Sequence, residues 1–291
     1  MTNTKRALTA LLVLLAGLTV LTACGDDSEA DAPLLVGSGS SPTMRVAAAV
    51  YAVGLSRAGT PATTAGAPVG TDTELMAAIG TGGVDLFPAF TGDLLTQLST
   101  RPAALGGEEL LTEVARALPQ GVAIGDPTGV SDRPQLLLSA GLRDRYDVQT
   151  LADCGRLPAG LPLVVLDGQD DAVLAAFDVC RPGAVERVPD ARAVIARVAG
   201  GEALGVLPAL ATASAGELGD LRILASDGAP RAQDLVPVYR SAALDKSALK
   251  QLSRIAGELT TDVLAELGAR VERGEDPGAV AAAWLATGAV S

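Results

Sequence analysis

From Leu34 onward, short apolar runs alternate with longer amphipathic stretches, a pattern that predicts strands interleaved with helices and an α/β chain. Leu34 to Val36 reads as a strand. It leads through Gly-Ser-Gly-Ser-Ser-Pro into a helix that carries Val46, Val50 and Val53 on one face and ends near Gly59. Thr71-x-x-Glu74 forms a capping box ahead of Leu75, Met76 and Ile79, and Gly80 to Gly83 closes that helix. Val84 to Phe87 is then a brief strand that Pro88 should end. Thr91 stands where an N-cap hydroxyl belongs, with Asp93 in the first helical turn.

The same reading continues with a helix over Glu108 to Leu118, a strand over Val122 to Ile124, a break at Asp126-Pro127 and a Leu-rich strand over Arg133 to Ser139. Further strands are expected at Leu163 to Leu166, Ala203 to Leu207, Leu221 to Leu224 and Val236 to Tyr239, with helices at Asp171 to Phe177 and Asp190 to Val198. Three helices finish the chain. Asp245 opens the first, Thr260 or Thr261 caps the second, and Asp276-Pro277 sets a cap and an N1 proline before Val280 and Trp284.

An apolar fraction of 48% in 291 residues supports a sizeable core, but aromatics make up only 2%, so Ala, Val and Leu must build it. The chain lacks histidine altogether. That removes the commonest general base, the commonest zinc ligand and every Ser/His or Cys/His nucleophile pair. A Ser-x-x-Lys at Ser247 to Lys250 stands alone, without the Lys-Thr-Gly element that would accompany it in an acylating enzyme. The net charge of −12 argues against nucleic acid or an anionic membrane surface as partner. No cofactor and no metal site is expected.

Lys5 and Arg6 precede an unbroken run of apolar and small residues from Ala7 to Ala23, laid out as the n- and h-regions of a signal peptide, with a membrane anchor as the alternative. Leu21-Thr22-Ala23-Cys24 resembles a bacterial lipobox. That implies cleavage before Cys24 and a lipid on its thiol, with residues 1-24 as signal peptide and lipobox. Residues 25-33 (GDDSEADAP) are acidic and poor in apolar side chains, as in a solvated tether. Cys154 and Cys180 are the other two thiols, and in an oxidising compartment they are expected to form a disulfide rather than a two-Cys metal site.

The run G-x-V-D-L-F-P-A-F-T-G-D-L-L from Gly82 resembles the segment G-x-I-D-L-Y-P-E-Y-T-G-x-x-L of substrate-binding proteins from bacterial glycine betaine, choline and related quaternary-ammonium ABC importers. GDPTGVSDRPQLLLS at Gly125 to Ser139, LRILASDGAP at Leu221 to Pro230 and the tail from Val236 to Leu285 are similar in turn, in the same order. The resemblance implies a two-lobed type II periplasmic-binding clamshell with two hinge crossings. Lobe I would comprise 34-135 and 225-291, and lobe II 136-224. It also implies a non-catalytic, lipid-anchored, monomeric receptor for a quaternary-ammonium osmolyte or related small molecule, on the outer face of a bacterial membrane and working with an ABC permease subunit.

Ligand contacts are expected from the hydroxyl-rich loop at Ser38, Ser40 and Ser41, from Thr71, and from Phe87, Phe90 and Thr91. Asp132, Thr212 and Asp227 complete the expected set. Three features depart from the family pattern. Ser41 and Thr43 stand where an aromatic and a Glu are common, Phe87 and Phe90 replace tyrosines, and Leu207 to Thr212 carries no ring. A full cage of electron-rich faces around a cation is therefore not expected, and glycine betaine should bind weakly or not at all, with a less polar or larger ligand preferred. The competing readings are a lipoprotein on the same scaffold with an interaction or sensor role, and a carboxylate-based hydrolase, for which no acid-base pair stands out.

Overall fold

The structure, a computed structural model, describes residues 32–99, 107–169, 171–225 and 233–288. The elements run β1 (Leu34–Leu35), α1 (Pro42–Arg57), β2 (Ala62–Thr63), α2 (Asp72–Thr81), β3 (Leu86–Phe90), α3 (Thr91–Leu98), α4 (Gly107–Ala117) and β4 (Val122–Ile124). There follow β5 (Pro134–Ser139), α5 (Ala140–Tyr146), β6 (Leu163–Leu166), α6 (Asp171–Leu174), β7 (Val185–Val188), α7 (Ala191–Ala199), β8 (Leu204–Pro208), α8 (Ala209–Ala215) and β9 (Leu221–Ile223). The chain ends with β10 (Leu235–Arg240), α9 (Lys246–Glu258), α10 (Thr261–Glu272) and α11 (Pro277–Ala286).

Two sets of strands organise two lobes. In the first, β10 lies antiparallel between β3 and β4, while β1 pairs in parallel with β2 and touches β3 through a parallel bridge from Val36 to Leu86. In the second, the order is β7-β6-β8-β5-β9, with β7, β6 and β8 parallel and β5 antiparallel to both β8 and β9.

Helix α1 is the spine of the first lobe, buried almost continuously from Val46 to Leu55 and packed against α9, α10 and α11. Its small side chains explain how a core this poor in rings closes. A Cβ on Gly54 would meet Ile255 Cδ1 at 2.7 Å, and one on Gly268 of α10 would meet Thr43 Oγ1 at 2.6 Å, so the helices pack at backbone distance. In the second lobe the strand period of two separates two layers. Leu136, Leu138, Leu163 and Val165 face a cluster with Phe177 and the bonded Cys154–Cys180 pair, while Leu137, Val164 and Leu207 face Val194 and Val198 of α7.

The chain passes from one sheet to the other between Ile124 and Pro134 and returns between Ile223 and Leu235. The two passages run side by side. Ser131 bridges Asp234 in antiparallel fashion, and the Asp132 amide donates to the Gln233 carbonyl at 2.8 Å.

Several elements differ from the sequence reading. Strand β3 does not stop at Pro88; it runs on to Phe90 because Pro88 lies opposite Pro237 of β10. Facing prolines fit a pair in which neither strand directs an N–H at the other, so no ladder bond is forfeited. Helix α3 accordingly begins at Thr91 with Phe90 as N-cap, and no side-chain cap is made. The Asp171 start gives a single α-turn to Leu174, continued as a 3₁₀ stretch from Ala175 to Cys180. Strand β7 and helices α5 and α8 had no counterpart in the expected elements.

Candidate functional site

In open α/β sheets, loops at the carboxyl ends of parallel strands form the binding face. Here the carboxyl ends of β3 and β8 both abut the two passages between the lobes. Phe90 pairs with Leu235, the first residue of β10, and Pro208 pairs with Pro134, the first residue of β5. The loop after β1 joins this face through a bridge from Ser38 to Val69, which lines up the entrances to α1 and α2.

At these entrances most hydroxyls are engaged in ordering the backbone. Ser41 caps α1 by accepting from the Met44 amide at 3.2 Å, Ser40 beside it is exposed, and Ser38 is buried with its backbone bonded to Pro68 and Gly70. Thr71 Oγ1 accepts from the Glu74 amide at 3.3 Å and donates to Glu74 Oε2 at 3.0 Å, while the Thr71 amide donates to the same oxygen at 2.7 Å. These bonds hold the Glu74 carboxyl below its usual range.

The corner after β3 is fixed to the returning passage. Thr91 is fully buried; its Oγ1 accepts from the Asp234 amide at 3.1 Å and its own amide donates to the Asp234 carbonyl at 3.0 Å. Asp93 Oδ1 accepts from Gln233 Nε2 at 2.8 Å. Phe90 is half-buried at the carboxyl end of β3. Phe87 does not line the site. It is fully buried among Leu75, Ile79, Leu94 and Val114, because two residues earlier in the alternation than Ala89 it shares that residue's face, opposite to Phe90.

Asp132 reaches across the junction to accept from the Leu210 amide at 2.9 Å in the first turn of α8. Its carboxyl is pushed up to about 6 by burial, against the pull of the Leu210 hydrogen bond and with the help of the nearby Asp93 charge. Asp72, at the start of α2, is likewise pushed up to about 6 by burial and then by Asp93. Asp93 thus links two other carboxylates into one acidic edge, which sequence reasoning had represented by Asp132 alone. Their spacing in the chain gave no hint, since each follows a different strand. Among the described residues no group of His, Cys, Asp or Glu is placed to hold a metal ion.

Thr212 is buried, donates to the Pro208 carbonyl at 3.0 Å, and lines a cavity shared by Ser131 and Arg133, Asp234 and Thr261. Asp227 and Cys24 lie outside the described residues. The chain has seven aromatic residues, all described. Tyr51, Phe87 and Phe177 are core residues, Tyr146 lies under the Arg145 guanidinium at 5.5 Å, Tyr239 pairs with Leu86 at the far end of β10, and Trp284 packs on the α1 cluster. Phe90 lies half-buried at the carboxyl end of β3, against the α1 cluster. The junction between the lobes thus carries negative charge and backbone amides.

The structure resembles that of apo YehZ from Escherichia coli, with a TM-score of 0.68 at 17% identity over 89% of this chain and 100% of that one. It also resembles a glycine betaine/carnitine/choline ABC transporter structure, with a TM-score of 0.70 at 14% identity over 87% and 98% of the two chains. A search of curated protein sequences gave no match. Among the described residues no helix is long and apolar enough to cross a membrane. The family model for the OpuAC substrate-binding domain of ABC-type glycine betaine transport systems matches residues 32–287, nearly all of the described fold, and the chain belongs to that family.

Proposed function

We propose that this chain is the extracytoplasmic receptor of an ABC importer, held at the membrane by a lipid on Cys24, and that its ligand is an organic cation without a carboxylate, larger or less polar than glycine betaine. The placement of the seven rings carries this reading. A quaternary ammonium group is held by several electron-rich faces, each contributing about 0.5 to 2 kcal/mol, and one Phe at the binding face cannot form such a cage. The acidic edge of Asp72, Asp93 and Asp132 attracts a cation by charge but repels the carboxylate of a betaine. Lobe closure around the ligand would be the state a permease reads.

The test is a thermal-shift panel on protein lacking residues 1–24. A ligand at about one hundred times its dissociation constant adds roughly 2.7 kcal/mol, or about 5 to 10 °C in melting temperature at this size. Larger organic cations whose charge sits on a protonated amine should reach that shift, while glycine betaine and choline at micromolar concentration should not. A full shift with micromolar glycine betaine or choline would defeat the ligand assignment.

A further inference from the structure

Helix α9 carries a face whose charge opposes that of the chain. The chain has three lysines, and the two beyond Lys5 are Lys246 and Lys250, one turn apart on this helix, with Arg254 a turn further. Steps of four residues advance about 40° around a helix, so the three cations share one side. All three are exposed, and none has an ion-pair partner among the described residues. Ser253 and Gly257, exposed on the same side, are uncharged, and Glu258 ends the stripe. Asp245 is engaged as the N-cap, bonded to the Ala248 amide at 2.8 Å, and Asp126 on the flank accepts from Ser253 Oγ at 2.6 Å. We propose that this face docks on the anionic phospholipid headgroups of the membrane to which the receptor is tethered.

Docking of this kind rests on the lipid at Cys24 argued above, to which it adds an orientation. Strand β10 runs from Leu235, beside the returning passage, to Arg240 at the opposite end of the first lobe's sheet, and there leads into α9. Asp85 ties Arg240 to the Leu35 amide, so the described fold starts at this same end. Residues 25-33 reach at most about 30 Å when fully extended, which bounds the distance from the lipid to that end. Attraction between exposed charges is screened beyond about 8 Å at physiological ionic strength, and contact at that range is within the tether's reach. The net charge of −12 turns the rest of the surface away from an anionic membrane, so the field that repels the molecule as a whole draws in this one face. Each lysine or arginine near such a surface strengthens the association by about fivefold.

The chain from Cys24 to Ser291, which keeps every described residue, is coupled through the Cys24 thiol to a maleimide lipid in nanodiscs. Attachment then does not depend on whether cells add the natural lipid, a reading decided separately by the mass of the exported protein. Lys246 and Lys250 are dimethylated with a carbon-13 label, which keeps their charge, and a trace of gadolinium-chelating lipid broadens methyl signals near the headgroups. In discs with about 30% phosphatidylglycerol, both lysine signals should broaden at least about threefold more than in discs of phosphatidylcholine alone. That excess should vanish in about 0.5 M NaCl, and Arg254→Gln, an exposed change that suits a helix, should reduce it severalfold. Equal broadening in the two discs would leave tether length alone to set the approach and would overturn the proposal. Broadening in neither disc, which would leave the face to an acidic protein partner, or an excess that survives both salt and Arg254→Gln, would overturn it equally.

Discussion

Asp85 joins three strand regions of the first lobe through one carboxylate. Its Oδ1 accepts from the Arg240 guanidinium of β10, with Nε at 3.1 Å, while Oδ2 accepts from the Leu35 amide of β1 at 2.9 Å. The side chain is nearly buried, so removing it leaves a guanidinium and an amide unmet at the sheet. Asp85→Ala should lower stability by about 2–3 kcal/mol, read as a fall of roughly 5–10 °C in melting temperature. Phe87→Ala should cost more, about 3–5 kcal/mol in urea unfolding, through the cavity it opens in the core, and should not change ligand preference among the correctly folded molecules. Asp72 and Asp132 set a pH dependence of the opposite sense from that of most carboxylates. Their folded pKa values, about 6, lie above the unfolded value, so their contribution to stability is fully present below about pH 4 and is lost as pH rises through 6. In Asp132→Asn, which keeps an acceptor for the Leu210 amide, urea midpoints should fall less between pH 4.5 and 7 than in the unsubstituted chain.

At the level of elements, the parts differ in what holds them. The 3₁₀ stretches Leu151–Arg156 and Ala175–Cys180 have little intrinsic persistence and are joined by the Cys154–Cys180 disulfide. Replacing both cysteines with Ala should cost about 3 kcal/mol in the chain-entropy model and should loosen this layer first, as faster amide exchange around Phe177. Elements with a strong period of their own, such as β5, β6, α9 and the capped start of α2, were legible in the sequence. Strand β7 was not, because Val-Glu-Arg-Val lies at the sheet edge and buries little. Nor was α8, whose Ala-rich segment has no amphipathic stripe and depends on packing against α10 and on the Asp132 bond. The segment from Phe87 to Thr91 was legible as a motif, but not in its facing. Ending β3 at Pro88 hid the alternation that sends Phe87 inward, and only the register with Pro237 reveals it.

Across the whole molecule, two lobes and two passages describe the connectivity but leave out helix α8. By sequence it follows β8 of the second lobe, yet Leu210 lies in the core cluster built on α1, and the helix packs along α10. A door hung on two straps swings freely; a third seat makes it a catch. Full separation of the lobes would have to draw Leu210 out of its pocket at about 1.5–3 kcal/mol, comparable with the free energy a modest ligand supplies. Leu210→Ala should therefore let the empty protein sample wider arrangements, seen as a larger radius of gyration in small-angle scattering, and should leave the ligand-bound form less affected. With the catch in place, opening requires α8 to leave its seat against α10, so the empty receptor is expected to move between discrete arrangements instead of through a continuum.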